Sequence, residues 1–259
     1  MKPTNINEIH NSFTIQASHF EDSTMNFSKQ EYLEHTIQCI NAKKTDSVLE
    51  VAAGTCICGR SIAPFVNSVT CVDATPAMLE IGKEQAIAAG LSNLSFVNGF
   101  VEELPFAEES FDVVMTRLSF HHFTEMKQPF DEMNRVLKRG GKLVIIDMEA
   151  TAEELRTIED ELETLRDPSH VRNRSKEEFL TLYESKGYQL TKLEYTQIPV
   201  SLQAWMNLTK TPSDVQTNIR ERMVTELKGG AKTGFAPYYK GEELYFDQRW
   251  LLMIGEKSL

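Results

Sequence analysis

Several kinds of sequence are missing from this chain, and each absence narrows what it can be. No apolar run approaches the ~18 residues of a membrane-spanning helix, and the opening stretch MKPTNINEIH has no apolar core of the signal-peptide kind. A cytoplasmic protein with no stable membrane association is therefore expected. Positive charge is scarce: 27 Lys and Arg against 38 Asp and Glu leave a formal net charge of −11. That balance argues against a nucleic-acid partner, which needs a basic face to displace counterions. The four cysteines, Cys39, Cys56, Cys58 and Cys71, all lie in the first third. Cys56 and Cys58 have no second His/Cys pair at zinc-finger spacing, so no metal site is expected, and the thiols read as small, reduced residues around a tight turn. No internal repeat and no low-complexity linker divides the chain.

What is present is an alternation of short apolar runs and amphipathic segments. At 259 residues, 41% hydrophobic and 25% charged, the chain suits one large soluble domain over 1–259. VLEVAAGTCICG, from Val48 to Gly59, is an apolar run that breaks into small residues and then feeds a helix-compatible segment, Arg60 to Phe65. A backbone turn of that kind lets a ligand approach closely. Asp73 follows Gly54 by nineteen residues, at the end of SVTCVD, a spacing suited to a carboxylate that accepts from two ribose hydroxyls. Further strands read as LSFVNGF, FDVVMTRL, KLVIIDME (after an Arg139-Gly140-Gly141 turn), YQLTKLEYTQIPV and EELYFDQRWLLMIGEK. Helices read over 29–42, Thr75 to Ala89 with Thr75 as N-cap, Met126 to Leu137, two pieces of 151–186, and Ser201 to Gly230. The expected fold is α/β: a Rossmann-like, seven-stranded, mostly parallel sheet with an antiparallel C-terminal hairpin and helices on both faces. Within it we read an N-terminal arm and helix (1–42), a core (43–150) and a C-terminal half (151–259) whose helical insertion, 201–240, covers a substrate. The arm is polar with isolated aromatics, Phe13, Phe20 and Phe27. It is either frayed or folds over a ligand through Phe13, His19 and Phe20.

The order of motifs VLEVAAGT, VDATPAMLEIGKEQA, LPFAEESFDVVMTRLSFHHF and MNRVLKRGGKLVIID resembles the class I S-adenosylmethionine-dependent methyltransferases. Within these it is most similar to the ubiquinone/menaquinone-biosynthesis-like group, from about Phe13 to Val200, and DPSHVRNRSKEEF is similar to a subgroup of small bacterial methyltransferases. The resemblance implies S-adenosyl-L-methionine as cofactor. It also implies that Glu50, Ala52, Ala53, Gly54 and Thr55 line the methionine end, that Asp73 holds the ribose, that Ala74 and Met78 pack on the adenine and Phe100 and Val101 reach its other side, and that Thr116 and Arg117 face the sulfonium. The chain departs from the family pattern at Cys56, where the last glycine of the loop stands, and at Phe100, where an acidic residue is usual. Aromatic stacking is what Phe100 can offer instead.

Methyl transfer is an in-line displacement that needs alignment and exclusion of water. A base helps only if the nucleophile carries a proton near neutral pH. His121 and His122 follow the fourth strand, where an acceptor would approach. An imidazole there can deprotonate a phenol, enol or ring nitrogen, and activity would then titrate near an ordinary histidine pKa. His122 is the preferred base, His121 the packing residue, and His170, beside Arg172 and Arg174, a further candidate or anion anchor. Trp205, Phe235, Tyr238 and Tyr239 can roof a flat substrate or belong to the core. The expected function is methyl transfer to a small aromatic, heteroaromatic or quinone-like acceptor. The competing readings are a quinone-biosynthesis C-methyltransferase, a non-catalytic protein that binds S-adenosylmethionine or S-adenosylhomocysteine, and a nicotinamide-dependent oxidoreductase, whose ribose Asp73 would serve equally well.

Overall fold

The structure, a computed structural model, describes residues 4–21 and 29–259; Phe27 of the expected arm lies outside them. The arm is helical where it is described: α1 (Ile6–Gln16) continues into a 3-10 turn, Ala17–His19. Its apolar residues, Ile6, Ile9 and Phe13, recur every three or four positions and so share one face. α2 (Gln30–Ile40) then buries Leu33, Thr36 and Ile40 and ends on Asn41 in a left-handed conformation.

From here strands and helices alternate: β1 (Ser47–Val51), α3 (Ile57–Ile62), β2 (Ser68–Asp73), α4 (Pro76–Ala88), β3 (Leu94–Asn98), β4 (Phe111–Arg117), α5 (Lys127–Val136) and β5 (Leu137–Met148). The C-terminal half adds α6 (Arg156–Arg166), α7 (Lys176–Ser185), β6 (Gln189–Ser201), α8 (Leu202–Leu208), α9 (Ser213–Leu227), β7 (Tyr238–Lys240) and β8 (Glu243–Glu256). The sheet order is β3-β2-β1-β4-β5-β8-β6, with the short β7 paired to β8. β1 to β5 are parallel, and β8 runs antiparallel to both β5 and β6. The expected fold class holds, with β7 as an addition.

Because side chains alternate along a strand, each parallel strand feeds two cores. Val48, Val113 and Val144 face one, with Ile40, Ile62, Trp205 and Met223; Leu49, Val114 and Leu143 face the other, with Phe130, Met133 and Phe179. Strand order reverses between β1 and β4, so their carboxyl ends open a crevice there, the usual place for a ligand in such sheets.

Two local readings differ. The Arg139–Gly141 stretch is continuous with β5 rather than a separate turn: Gly140 has φ +69°, and the register against β4 shifts between Phe111 and Val113, as at a β-bulge. Thr75 occupies the N-cap of α4 without capping through its hydroxyl; its backbone N–H is instead held by Asp73 Oδ1 at 2.7 Å.

Candidate active site

The crevice is a cavity of about 890 Å³, including its open mouth. One end is built from backbone. Ala52, Gly54 and Cys56 have φ of +47°, +54° and +60°, so every second residue of the turn is left-handed although only one is glycine. Each non-glycine residue there costs roughly 1–2 kcal/mol. The strain is held by neighbours. Ala53 N–H donates to Val72 O (3.0 Å), and Gly54 N–H donates to Asp73 Oδ2 (2.7 Å). α4 closes on the turn at Gly82, where a Cβ would lie 2.7 Å from Thr55 O. Glu50, 3% exposed, accepts from Gly59 N–H at 2.7 Å. Burial outweighs that bond and the nearby Arg117 and Arg60 charges, pushing its carboxyl up to about 7. Burial likewise raises the carboxyls of Asp73 and Glu102.

The other end is built from side chains. Asp147, at the end of β5, accepts from the backbone N–H of Ser119 (2.9 Å) and Phe120 (2.6 Å) and from His121 Nδ1 (2.6 Å). Burial alone would raise this carboxyl; the His121 ring and these N–H groups hold it below its ordinary value. His122 packs on His121 with ring centroids 4.2 Å apart and meets Phe13 edge-on at 5.0 Å. Its Nδ1 lies 3.0 Å from Ser169 O. Burial and the His121 ring push its pKa down to about 3. The neutral imidazole therefore persists through the ordinary pH range, and the expected titration near a normal histidine value is corrected.

α1 spans both ends. His10 Nε2 lies 2.9 Å from Ala74 O, Asn5 Nδ2 donates to His122 O (3.0 Å), and Gln16 Nε2 donates to Asp167 Oδ2 (3.0 Å). A Cβ on Gly54 would sit 3.6 Å from the Phe20 ring.

Residues 49–145 match the family model described as "Methyltransferase domain". The protein YafE of Escherichia coli is 34% identical over 159 residues, covering 61% of this chain and 77% of that one. The chain belongs to the class I S-adenosylmethionine-dependent methyltransferases. The methyltransferase YcgJ of Bacillus subtilis is 29% identical over 208 residues, 80% of this chain and 82% of its own. The crystal structure of YcgJ superposes with a TM-score of 0.81 at 26% identity, covering 89% of this chain and 100% of that one. A Zymomonas mobilis ubiquinone/menaquinone C-methyltransferase is 31% identical over 115 residues, spanning 44% of this chain and 48% of its own.

Of the residues expected at the methyltransferase site, Glu50, Ala52, Ala53, Gly54, Asp73, Ala74, Phe100, Val101, Arg117 and His122 line the cavity. Thr55, Met78 and Thr116 are buried behind it; Thr116 Oγ1 donates to Val51 O at 2.9 Å. His121 is engaged by Asp147, and His170 Nε2 meets Asp160 Oδ1 at 3.0 Å, so neither is part of the cavity wall. Arg174 donates to Phe123 O at 2.7 Å. Among the described residues, no cavity-lining residue comes from 201–240; Trp205 and Phe235 pack with Phe246 in the core. Glu102 and Ile9 were missed, as were Asp147, Asp167 and Ser169 behind the wall. Glu102, two residues beyond the Phe100 departure, is part of the cavity wall at this end. On the outer surface His35, Cys39 and Glu194 bring three donor atoms within 4.8 Å, with Lys192 Nζ 2.8 Å from the same carboxylate.

Proposed function

We propose that this chain methylates a small, flat acceptor, aromatic, heteroaromatic or quinone-like, with His122 as the group that receives the acceptor's proton. S-adenosylmethionine, when bound, supplies an electrophilic methyl group on a sulfonium. The residues present suit such a molecule. The wall holds Glu50, Asp73 and Glu102 for its cations, hydroxyls and amine, and Phe100 and Ala74 for its flat base. Asp73 keeps acceptor capacity although Gly54 and Thr75 already donate to it, since a carboxylate offers about four lone-pair sites.

The observation that carries the base assignment is the position of His122: among His121, His122 and His170, it alone is part of the cavity wall. Ile9, Phe13, Phe20, Leu118 and Phe123 surround the same space with apolar surface and exclude water from the transfer. We assign the cover to α1 and Phe20 rather than to 201–240. The chain's similarity to the Zymomonas mobilis quinone methyltransferase supports an acceptor of that shape.

Calorimetric titration with S-adenosylmethionine, S-adenosylhomocysteine and NAD tests the reading. Binding of both adenosyl compounds and not NAD is expected; binding of NAD alone sinks it.

A further inference from the structure

We propose that Asp167 and Ser169 are positioning residues that fix His122 in one tautomer, with the proton on Nδ1 and the lone pair on Nε2. The inference rests on the reading of His122 as the base and adds what makes it one. Around Nδ1 the structure places two oxygens of a single residue: Ser169 O at 3.0 Å and Ser169 Oγ at 3.2 Å. The carbonyl can only accept. The hydroxyl could do either, and a hydroxyl that donated to Nδ1 would drive the proton to Nε2 and abolish the base.

Asp167 removes that freedom. Its Oδ1 accepts the Ser169 hydroxyl at 2.6 Å and the Ser169 backbone N–H at 3.0 Å. The one hydroxyl proton is thus committed to the carboxylate, and Oγ presents only lone pairs to His122. Both neighbours of Nδ1 are then acceptors, so Nδ1 carries the hydrogen. Since the ring forms part of the cavity wall and Nδ1 is turned to Ser169, Nε2 is the nitrogen left for an acceptor.

The carboxylate is fit for this. Asp167 is 2% exposed, Ser169 is fully buried, and Asp167 is held well below its ordinary pKa, burial notwithstanding, by Arg166, His122 and the Ser169 bonds. Its other oxygen accepts from Gln16 on α1. The cover over the cavity therefore closes on the carboxylate that orients the base.

The test reads the tautomer directly, by long-range proton–nitrogen correlation spectra of protein labelled with 15N-histidine; His122 is assigned by the loss of its signals in His122→Gln. In the wild-type protein, His122 is expected to carry its hydrogen on Nδ1. Asp167→Ala releases the hydroxyl, and a substantial share of His122 should move to the Nε2–H form. Adding Ser169→Ala to that variant removes the competing donor and should return the ring to Nδ1–H. Asp167→Asn, whose amide oxygen can still accept from Ser169, should keep the wild-type tautomer.

An Asp167→Ala spectrum identical to wild type overturns the proposal, as does a double variant that fails to return. If the Ala variants do not fold, the wild-type and Asp167→Asn spectra decide alone, and Nε2–H in either is fatal to it. The spectra are taken without ligand. Failure to bind S-adenosylhomocysteine would therefore remove the methyltransferase reading and leave the tautomer result standing.

Discussion

The two ends of the cavity are held by opposite means. At the β1 end, backbone does the shaping: three left-handed residues in a five-residue turn, with Asp73 and Glu50 each pinning an N–H of that turn or of the helix after it. At the β4–β5 end, side chains do it: Asp147 and Asp167, both nearly fully buried, orient a pair of histidines whose rings touch at a tilt of 47°. A backbone cradle tolerates the replacement of its glycines, at a cost in strain, because its shape does not depend on the side chains it lacks. A side-chain network has no such slack, since each member fixes the proton of the next. Substitutions should therefore cost chemistry at the histidine end and affinity or stability at the turn.

The largest expected effect follows from His122. Replacement by Ala should lower turnover by ~10²–10⁴, the usual contribution of a general base, with cofactor affinity nearly unchanged because the loss falls on the transition state. Steady-state kinetics together with calorimetry separate the two. Turnover within a factor of about three of wild type would show that positioning alone suffices. With the imidazole already neutral, the rate should show no limb near the ordinary histidine pKa of about 6.5.

Next in size is Asp73→Ala at the other end, expected to weaken S-adenosylmethionine binding by about 1.5–3 kcal/mol, the scale of hydrogen bonds to a charged group. If turnover at saturating cofactor falls as well, the separation between the two ends is lost.

A smaller effect comes from Glu50. Its carboxyl is pushed up to about 7 in the unliganded protein, and a bound cation would favour the ionised form. Binding below that pH must expel a proton, so affinity should rise with pH, by at most about tenfold per unit, and level off above it. Titrations in buffers of different ionisation enthalpy would report the released proton; an affinity flat across this range would mean that Glu50 does not sense the cation.

The smallest is Ala52→Gly. Relieving one left-handed alanine should stabilise the fold by about 1 kcal/mol, read as a rise in Tm. A loss of stability would show that the Ala52 methyl packs more than its backbone strains.

The sheet and the turn at the β1 end of the cavity are legible because both obey local rules. A strand that ends in small residues, and a carboxylate at the end of the next, declare themselves by spacing alone. The histidine end was only half legible. Sequence singled out His121 and His122, but the acids that orient them lie 26 and 45 residues away, Asp147 behind His121 and Asp167 behind His122. No periodicity links them; only folding brings β5 and the loop after α6 behind the ring pair. The aromatics of 201–240 suggest a cover, yet Trp205 and Phe235 satisfy the core around Phe246. The arm reads as either frayed or folded over a ligand, but its helix, α1, does not declare itself, because its short apolar stripe is interrupted by polar residues.

The place of β8 in the sheet bears on the order in which the molecule can assemble. β6 touches the rest of the sheet through β8, made some forty residues later, and β8 also covers the open side of β5. While the chain is being synthesised, the first five strands can pair in sequence, but β5 then waits as a bare apolar edge until Glu243–Glu256 arrives to slot between two strands already made. Such an edge is a template for pairing with another chain, and a contact that closes so late in sequence is slow. The C-terminal strand is thus the step at which a nascent molecule is most exposed to aggregation, and overexpression yield should depend more on substitutions along β8 than on comparable ones in β1 or β2.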